Sequence, residues 1–184
     1  MAIKWRCTQC GECCKRYVPL VLPVDVKRIQ NRMNKPISEF VEFYRPTDFK
    51  PPLEESDERL FNSKFGKLAM VLGRVENEDM GQCTFLKNNV CSIHEFKPHI
   101  CRQYPFQPVD FDKPQGPFRL IDEPCFGKHD TDGEVEEGPV RRDYVSYTEA
   151  QESYNEQVRR WNEDPTSKRR RIEDFLKFVG LEWG

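Results

Sequence analysis

Four thiols fall within eight residues in the stretch Cys7-Thr-Gln-Cys10-Gly-Glu-Cys13-Cys14. Cys7, Cys10 and Cys13 recur every third residue, a spacing that lets one tight turn aim several sulfurs at a common centre. Gly11 stands where such a turn calls for a positive φ or a close backbone approach, both open to a residue without a Cβ. The other four cysteines, Cys83, Cys91, Cys101 and Cys125, lie far down the chain. If they return to the first four, a metal held by thiolates becomes the central tie of the fold.

A tie of that kind matters because the core is lean. Hydrophobic residues make up 37% of the 184 positions and charged residues 33%, while each ordered residue costs about 1–2 kcal/mol of conformational entropy. Metal–thiolate binding energy becomes folding energy and can supply part of the difference. The net charge of −2 argues against bulk attraction to nucleic acid or anionic lipid. No run approaches the apolar length of a membrane span. The longest candidate, Tyr17 to Val24, is broken by Pro19 and Pro23 and follows the cysteine cluster, so it does not read as an export signal. The expected compartment is the cytoplasm, where thiols stay reduced and eight cysteines read as ligands rather than disulfides. A bridge between the neighbours Cys13 and Cys14 would also need a strained ring.

Along the chain, Asp25 is placed to cap a helix with Val26, Ile29 and Met33 on one face, and Pro36 to stop it. Ser38 predicts a second helical turn over residues 39–44. Residues 46–60 read as loop and Lys67 to Val75 as a strand. Cys83 to Cys91 carries a hairpin signal, with Lys87-Asn88-Asn89 at its tip. Residues 105–142 read as loop, apart from a strand at 118–121, and as a mobile loop beyond Cys125. In the tail, Ala150, Tyr154, Val158 and Trp161 form a helical stripe. Asp164-Pro165 predicts the start of another helix, with Ile172, Phe175, Leu176 and Val179 on its face and Gly180 at its end. The expectation is an α+β protein: a small irregular metal-stapled domain over 1–142, with short helices and a short hairpin or sheet. A helical extension over 143–184 packs on it.

Thiolates select soft or borderline metals, chiefly zinc and the iron of iron–sulfur clusters. Either centre with four thiolates carries a charge of about −2 and wants cations beside it. Arg6, Lys15, Arg16, Lys97 and Arg102 flank the cysteines; Arg102 and Arg6 are the two expected to sit beside the thiolates. Adjacent side chains diverge, so Cys13 and Cys14 are expected on different metals or on different irons. Cys7, Cys10 and Cys13 then go with Cys125, and Cys14 with Cys83, Cys91 and Cys101. One cluster with spare cysteines is the other possibility. Tyr104, Phe106, Phe85 and Trp5 are expected to keep water off the centre. His94 and His99 are five residues apart around Pro98, which spoils a metalloprotease helix motif; with eight cysteines to fill two tetrahedral sites, both read as packing residues or as partners beside the ligands rather than as ligands. The basic run Lys168 to Arg171 reads as the solvated face of the last helix.

Taken jointly, Cys7-x2-Cys10-x2-Cys13-Cys14, Cys83-Thr-Phe-Leu, Cys91-Ser-Ile-His and Pro98-His-Ile-Cys101-Arg-Gln-Tyr-Pro-Phe106 resemble the YkgJ-type cysteine-cluster family. The resemblance covers residues 7–125. It implies a zinc- or iron-chelating domain, often labelled iron–sulfur-containing. The family commonly has a tyrosine where His94 sits and an arginine where this chain has Lys97. A related domain in flagellin lysine methylases implies one enzymatic use.

The leading expectation is a cytoplasmic protein holding an iron–sulfur cluster, four-iron four-sulfur (4Fe–4S), with an electron-transfer or accessory redox role. The x2, x2 spacing resembles the first ligands of bacterial ferredoxins and favours that cluster. The alternative is a zinc-stapled interaction module with four-cysteine sites. A cluster-dependent enzyme comes third, since no cofactor motif, phosphate loop or hydrolase elbow is present. The expected partner is a protein, as redox partner or substrate; neither nucleic acid nor membrane is expected.

Overall fold

Leu68-Ala-Met-Val-Leu72 is apolar without a break, as a strand covered on both faces must be. The computed structural model, which describes residues 2–75, 81–111, 113, 115–121, 125 and 132–184, places it in the central strand, Gly66–Leu72, of an antiparallel sheet. Phe61–Ser63 lies on one side and Val41–Tyr44 on the other. No residue from Leu68 to Leu72 is more than 4% exposed. The helical turn expected over 39–44 is not formed. A 3₁₀ turn at Ile37–Glu39 leads directly into the strand, in which Val41 faces Leu72 and Tyr44 faces Ala69. β-Branched and aromatic residues suit that pleated position, and pairing to the central strand outweighs the local helix signal.

The helices are α1 (Glu12–Arg16), α2 (Pro23–Met33), α3 (His99–Gln103), α4 (Glu137–Glu163) and α5 (Ile172–Phe178). The architecture is α+β, with helices and several two- or three-stranded sheets. The chain divides into two compact units, Met1–Tyr17 with Val75–Thr148, and Val18–Arg74 with Glu149–Gly184.

In the second unit, Pro23 opens α2 and the Asp25 carboxylate accepts from the Leu22 amide at 3.4 Å. Val26 and Ile29 are fully buried, and Asn34 ends the helix in the left-handed region at φ 53°. The predicted stripe of α4 is present: Tyr154, Val158 and Trp161 are all buried. They meet α5 through Phe175, whose ring stacks on Phe61 at 3.7 Å and 4° and meets Trp161 edge-on at 5.4 Å. Asn162 ties α4 to the sheet, accepting from the Asn62 amide at 2.7 Å and donating to the Leu60 carbonyl at 2.8 Å. Asp164-Pro165 does not start a helix. The Asp164 carboxylate accepts from Thr166 and Arg170, a 3₁₀ turn follows at Ser167–Arg169, and α5 begins at Ile172. The basic run therefore precedes α5, and Arg170 lies over the Trp161 ring at 5.0 Å.

In the first unit, Ala2–Lys4 pairs with Glu134–Glu136, and Phe106–Pro108 with Phe118–Leu120. Trp5, Phe106, Phe118, Cys125, Val140 and Tyr144 form its core. The strand expected at 118–121 is found; its partner and the N-terminal pairing are too short to show a period. Helix α4 starts at Glu137, inside the segment read as loop. Pro139 sits in its first turn, where a missing N–H costs no helical hydrogen bond. The loop beyond Cys125, residues 126–131, lies outside the described residues.

Candidate metal centre

The cysteine cluster folds as a turn running into a single helical turn. Gln9 and Gly11 both adopt positive φ, 54° and 75°. The Gly11 carbonyl then accepts from the Cys14 and Lys15 amides at 3.0 and 3.2 Å, starting α1. This short helix lies against the strand Gln82–Cys83. Next to it is the expected hairpin, Leu86–Lys87 against Val90–Cys91. Asn88 and Asn89 supply its turn at φ 51° and 61°, the double positive φ that a two-residue hairpin loop requires. Ser92 closes its base by donating from its amide and its hydroxyl to the Phe85 carbonyl.

Gly11 is where cluster and hairpin meet. A Cβ there would lie 2.8 Å from Leu86 Cδ1 and 3.0 Å from the Asn89 carbonyl oxygen, so the glycine meets both requirements read from the sequence. Gly11→Ala is expected to cost about 2–4 kcal/mol, part from the left-handed backbone and part from overpacking. Gly66→Ala is the control: φ is 97° there, but nothing lies within 4 Å of the added methyl. Thermal unfolding should show a clearly larger loss for Gly11→Ala. Equal losses would mean that the close approach contributes nothing.

All eight cysteines are free thiols. Cys13 and Cys14, expected to diverge, turn their sulfurs to within 4.0 Å of each other. Cys14 keeps its proton: hydrogen bonding to Cys13, then to Cys83 and Cys91, pushes its pKa far above the thiol range. The acceptors shift the other way. Cys13 falls to about 7 through its hydrogen bond to Cys14, helped by the Lys97 ammonium. Cys91 falls to about 6 for the same first reason, with the Ile93 backbone and Lys97 assisting. Burial pushes the Cys101 thiol up; Cys83, Cys13 and Cys91 add to the rise and Lys97 opposes it. Five cysteines from three separated segments thus act on one another directly.

Cys10 and Cys125 join through Tyr104. Its hydroxyl is pushed up to about 12, first by burial and then by Cys125, Cys13 and Cys10, with Arg16 opposing. Its ring meets Tyr17 at 5.3 Å, and Cys125 lies in the core beside Phe106 and Trp5. Cys7 is exposed. Tyr17 thus packs on Tyr104, Trp5 and Phe106 share a core with Cys125, and Phe85 is buried.

The Lys97 charge acts on Cys13, Cys91 and Cys101. Arg102 holds the main chain of that lysine, donating from Nε to the Lys97 carbonyl at 3.1 Å, and reaches Asp143 at 4.0 Å. Arg6 lies against Gly133 beside the N-terminal strand pair. Lys15 and Arg16 both pair with Glu12 at 3.2 Å. Which flanking cation faces the sulfurs depends on how α3 is set, and the sequence carries no local signal for that. His99 is buried with Nε2 3.2 Å from the Ser146 hydroxyl. His94 Nε2 is buried without a partner.

Replacing Lys97 by methionine should raise the pKa of Cys13 and Cys91, because an ammonium that favours their thiolates is gone. Alkylation of the metal-free protein by iodoacetamide at neutral pH, mapped by mass spectrometry, should then slow about threefold to tenfold at those two positions. Unchanged rates would remove Lys97 from the site.

Among the described residues, no group of three or more Cys, His, Asp or Glu side chains already stands in metal-ligating geometry. The donor set nevertheless fits a soft metal: reduced thiols, two of them with depressed pKa, a nearby lysine and aromatic cover. No match to a curated protein or to a solved structure was found. A family model described as "CxxCxxCC: Putative zinc- or iron-chelating domain" matches residues 6–126. With most of its length and all eight cysteines inside that match, the chain belongs to the CxxCxxCC family.

Proposed function

We propose that this protein holds an iron–sulfur cluster of the 4Fe–4S type through cysteine thiolates and serves electron transfer or an accessory redox step in the cytoplasm, with a protein partner. The observation that carries the reading is the meeting of Cys13, Cys14, Cys83, Cys91 and Cys101, all reduced, with the Lys97 charge acting on Cys13, Cys91 and Cys101. Two groups of ligands are favoured. The sulfurs around Cys14 are Cys13, Cys83 and Cys91, whereas those around Tyr104 are Cys125, Cys13 and Cys10. Cys14, Cys83, Cys91 and Cys101 would hold one centre; Cys7, Cys10, Cys13 and Cys125 would hold the other or cover the first. When bound, a cluster supplies one-electron chemistry. The chain's own part is to present thiolates, to set a lysine beside their charge and to shield them with Tyr17 and Tyr104.

The family description also supports zinc, and the hairpin bearing Cys91 is the kind of element zinc ribbons use. Purification without oxygen, followed by iron, zinc and sulfide analysis and electron paramagnetic resonance, separates the two. The expected product is brown, with about four iron and four sulfide per cluster. Colourless protein with stoichiometric zinc would replace this reading by a structural zinc module.

A further inference from the structure

In the first unit three buried polar side-chain atoms have no hydrogen-bond partner among the described residues: Trp5 Nε1, His94 Nε2 and Gln103 Oε1. Each belongs to a residue within three positions of a cysteine. Trp5 states the clearest requirement. It is 8% exposed, and an indole N–H can only donate, so no change of tautomer or flip of an amide meets its need. A buried donor without an acceptor is costly and is rarely left so.

The surroundings limit what can accept. Phe106 meets the indole edge-on at 5.0 Å and 78°. Apart from the indole itself, the side chains of this core are apolar except at Cys125, at Tyr144 and, packed against it, at Tyr104. Phenols stay neutral at about pH 7, and Tyr104 is held further still from ionisation, pushed up to about 12. Cys125 differs, because a metal displaces the thiol proton and leaves a negative sulfur. Its charge reaches the Tyr104 hydroxyl together with those of Cys13 and Cys10, so this core stands beside the second group of thiols. Metal binding at Cys125 therefore creates one strong, charged acceptor in the core that holds the orphaned donor.

We propose that the Trp5 indole N–H donates to the Cys125 sulfur when that sulfur ligates metal, which makes Trp5 the positioning residue of this ligand. The thiol proton leaves to solvent, the indole proton stays on its nitrogen, and the hydrogen bond offsets part of the charge on sulfur. This rests on the reading of Cys125 as a ligand, and it holds for zinc as for iron, since both take cysteine as the thiolate.

Zinc titrated into the reduced full-length protein, with the indole nitrogens labelled for nuclear magnetic resonance, provides the test. The Trp5 N–H resonance, assigned through its contact with Phe106, should move downfield and exchange more slowly as zinc binds. Trp161 is the internal reference: its Nε1 already donates to the Asn62 carbonyl at 2.7 Å, and its resonance should stay in place. Trp5→Phe should weaken zinc binding about tenfold in competition with a chelator, with the circular dichroism of the metal-free protein unchanged. A Trp5 resonance unmoved by saturating zinc, or Trp5→Phe binding zinc as tightly as the parent, would overturn the proposal and leave the metal centre standing. Undiminished zinc uptake by Cys125→Ser, or no uptake by the parent, would instead overturn the ligand assignment beneath it, and the proposal with it.

Discussion

Cys14→Ser should lose metal. Its thiol is the one that Cys13, Cys83 and Cys91 all address, so serine there removes the shared member of the group. A hydroxyl is a poor substitute, because soft metals require thiolate. Retained affinity should fall by more than about a hundredfold, the upper end of what losing a mere outer partner costs. Metal per chain after desalting against a chelator reads this directly. Because metal binding energy is folding energy in sites of this kind, the melting temperature of the loaded protein should fall with it, while that of the metal-free protein should barely move. A serine variant that keeps full metal under the chelator would exclude Cys14 as a ligand.

Phe175→Ala should be the most damaging change in the second unit. The ring is fully buried, stacked on Phe61 and edge-on to both Trp161 and Tyr154. Truncating a buried phenylalanine costs about 3–5 kcal/mol, from lost transfer energy and from the cavity left behind. That is a large part of a total stability of about 5–15 kcal/mol. The unfolding midpoint in urea should drop accordingly, and Trp161 fluorescence should shift as the indole loses its neighbour. Phe175→Leu, which refills most of the space, should recover more than half of the loss. If alanine is tolerated with less than about 1 kcal/mol, the stack is not the core of this unit.

Much of this was legible in the sequence where one residue carries the reason alone. Gly11 announced its φ and its close approach, and Asn88-Asn89 announced the hairpin turn. The apolar period of Tyr154, Val158 and Trp161 gave the buried face of α4. What was missed depends on distant pairing. Val41 to Tyr44 is a strand because Ala69 to Leu72 lies alongside, and Ala2 to Lys4 is one because Glu134 to Glu136 does. The site shows the same limit. The cysteines could be named from spacing, but preferring Arg102 and Arg6 over Lys97 relied on adjacency in sequence. The field at a thiolate depends on distance in space, and there Lys97 acts on the sulfurs while Arg102 secures the main chain of that lysine.

The first unit is interrupted between Tyr17 and Val75 by most of the second. During vectorial synthesis the thiols from Cys7 to Cys14 leave the ribosome first, and elongation at about 5–20 residues per second delays Cys83 by several seconds. Over that interval the nascent chain displays an uncomplemented thiol cluster. On the proposed ligand set, ion capture is a late step of biogenesis, and no contiguous fragment ending before Cys101 would assemble the centre.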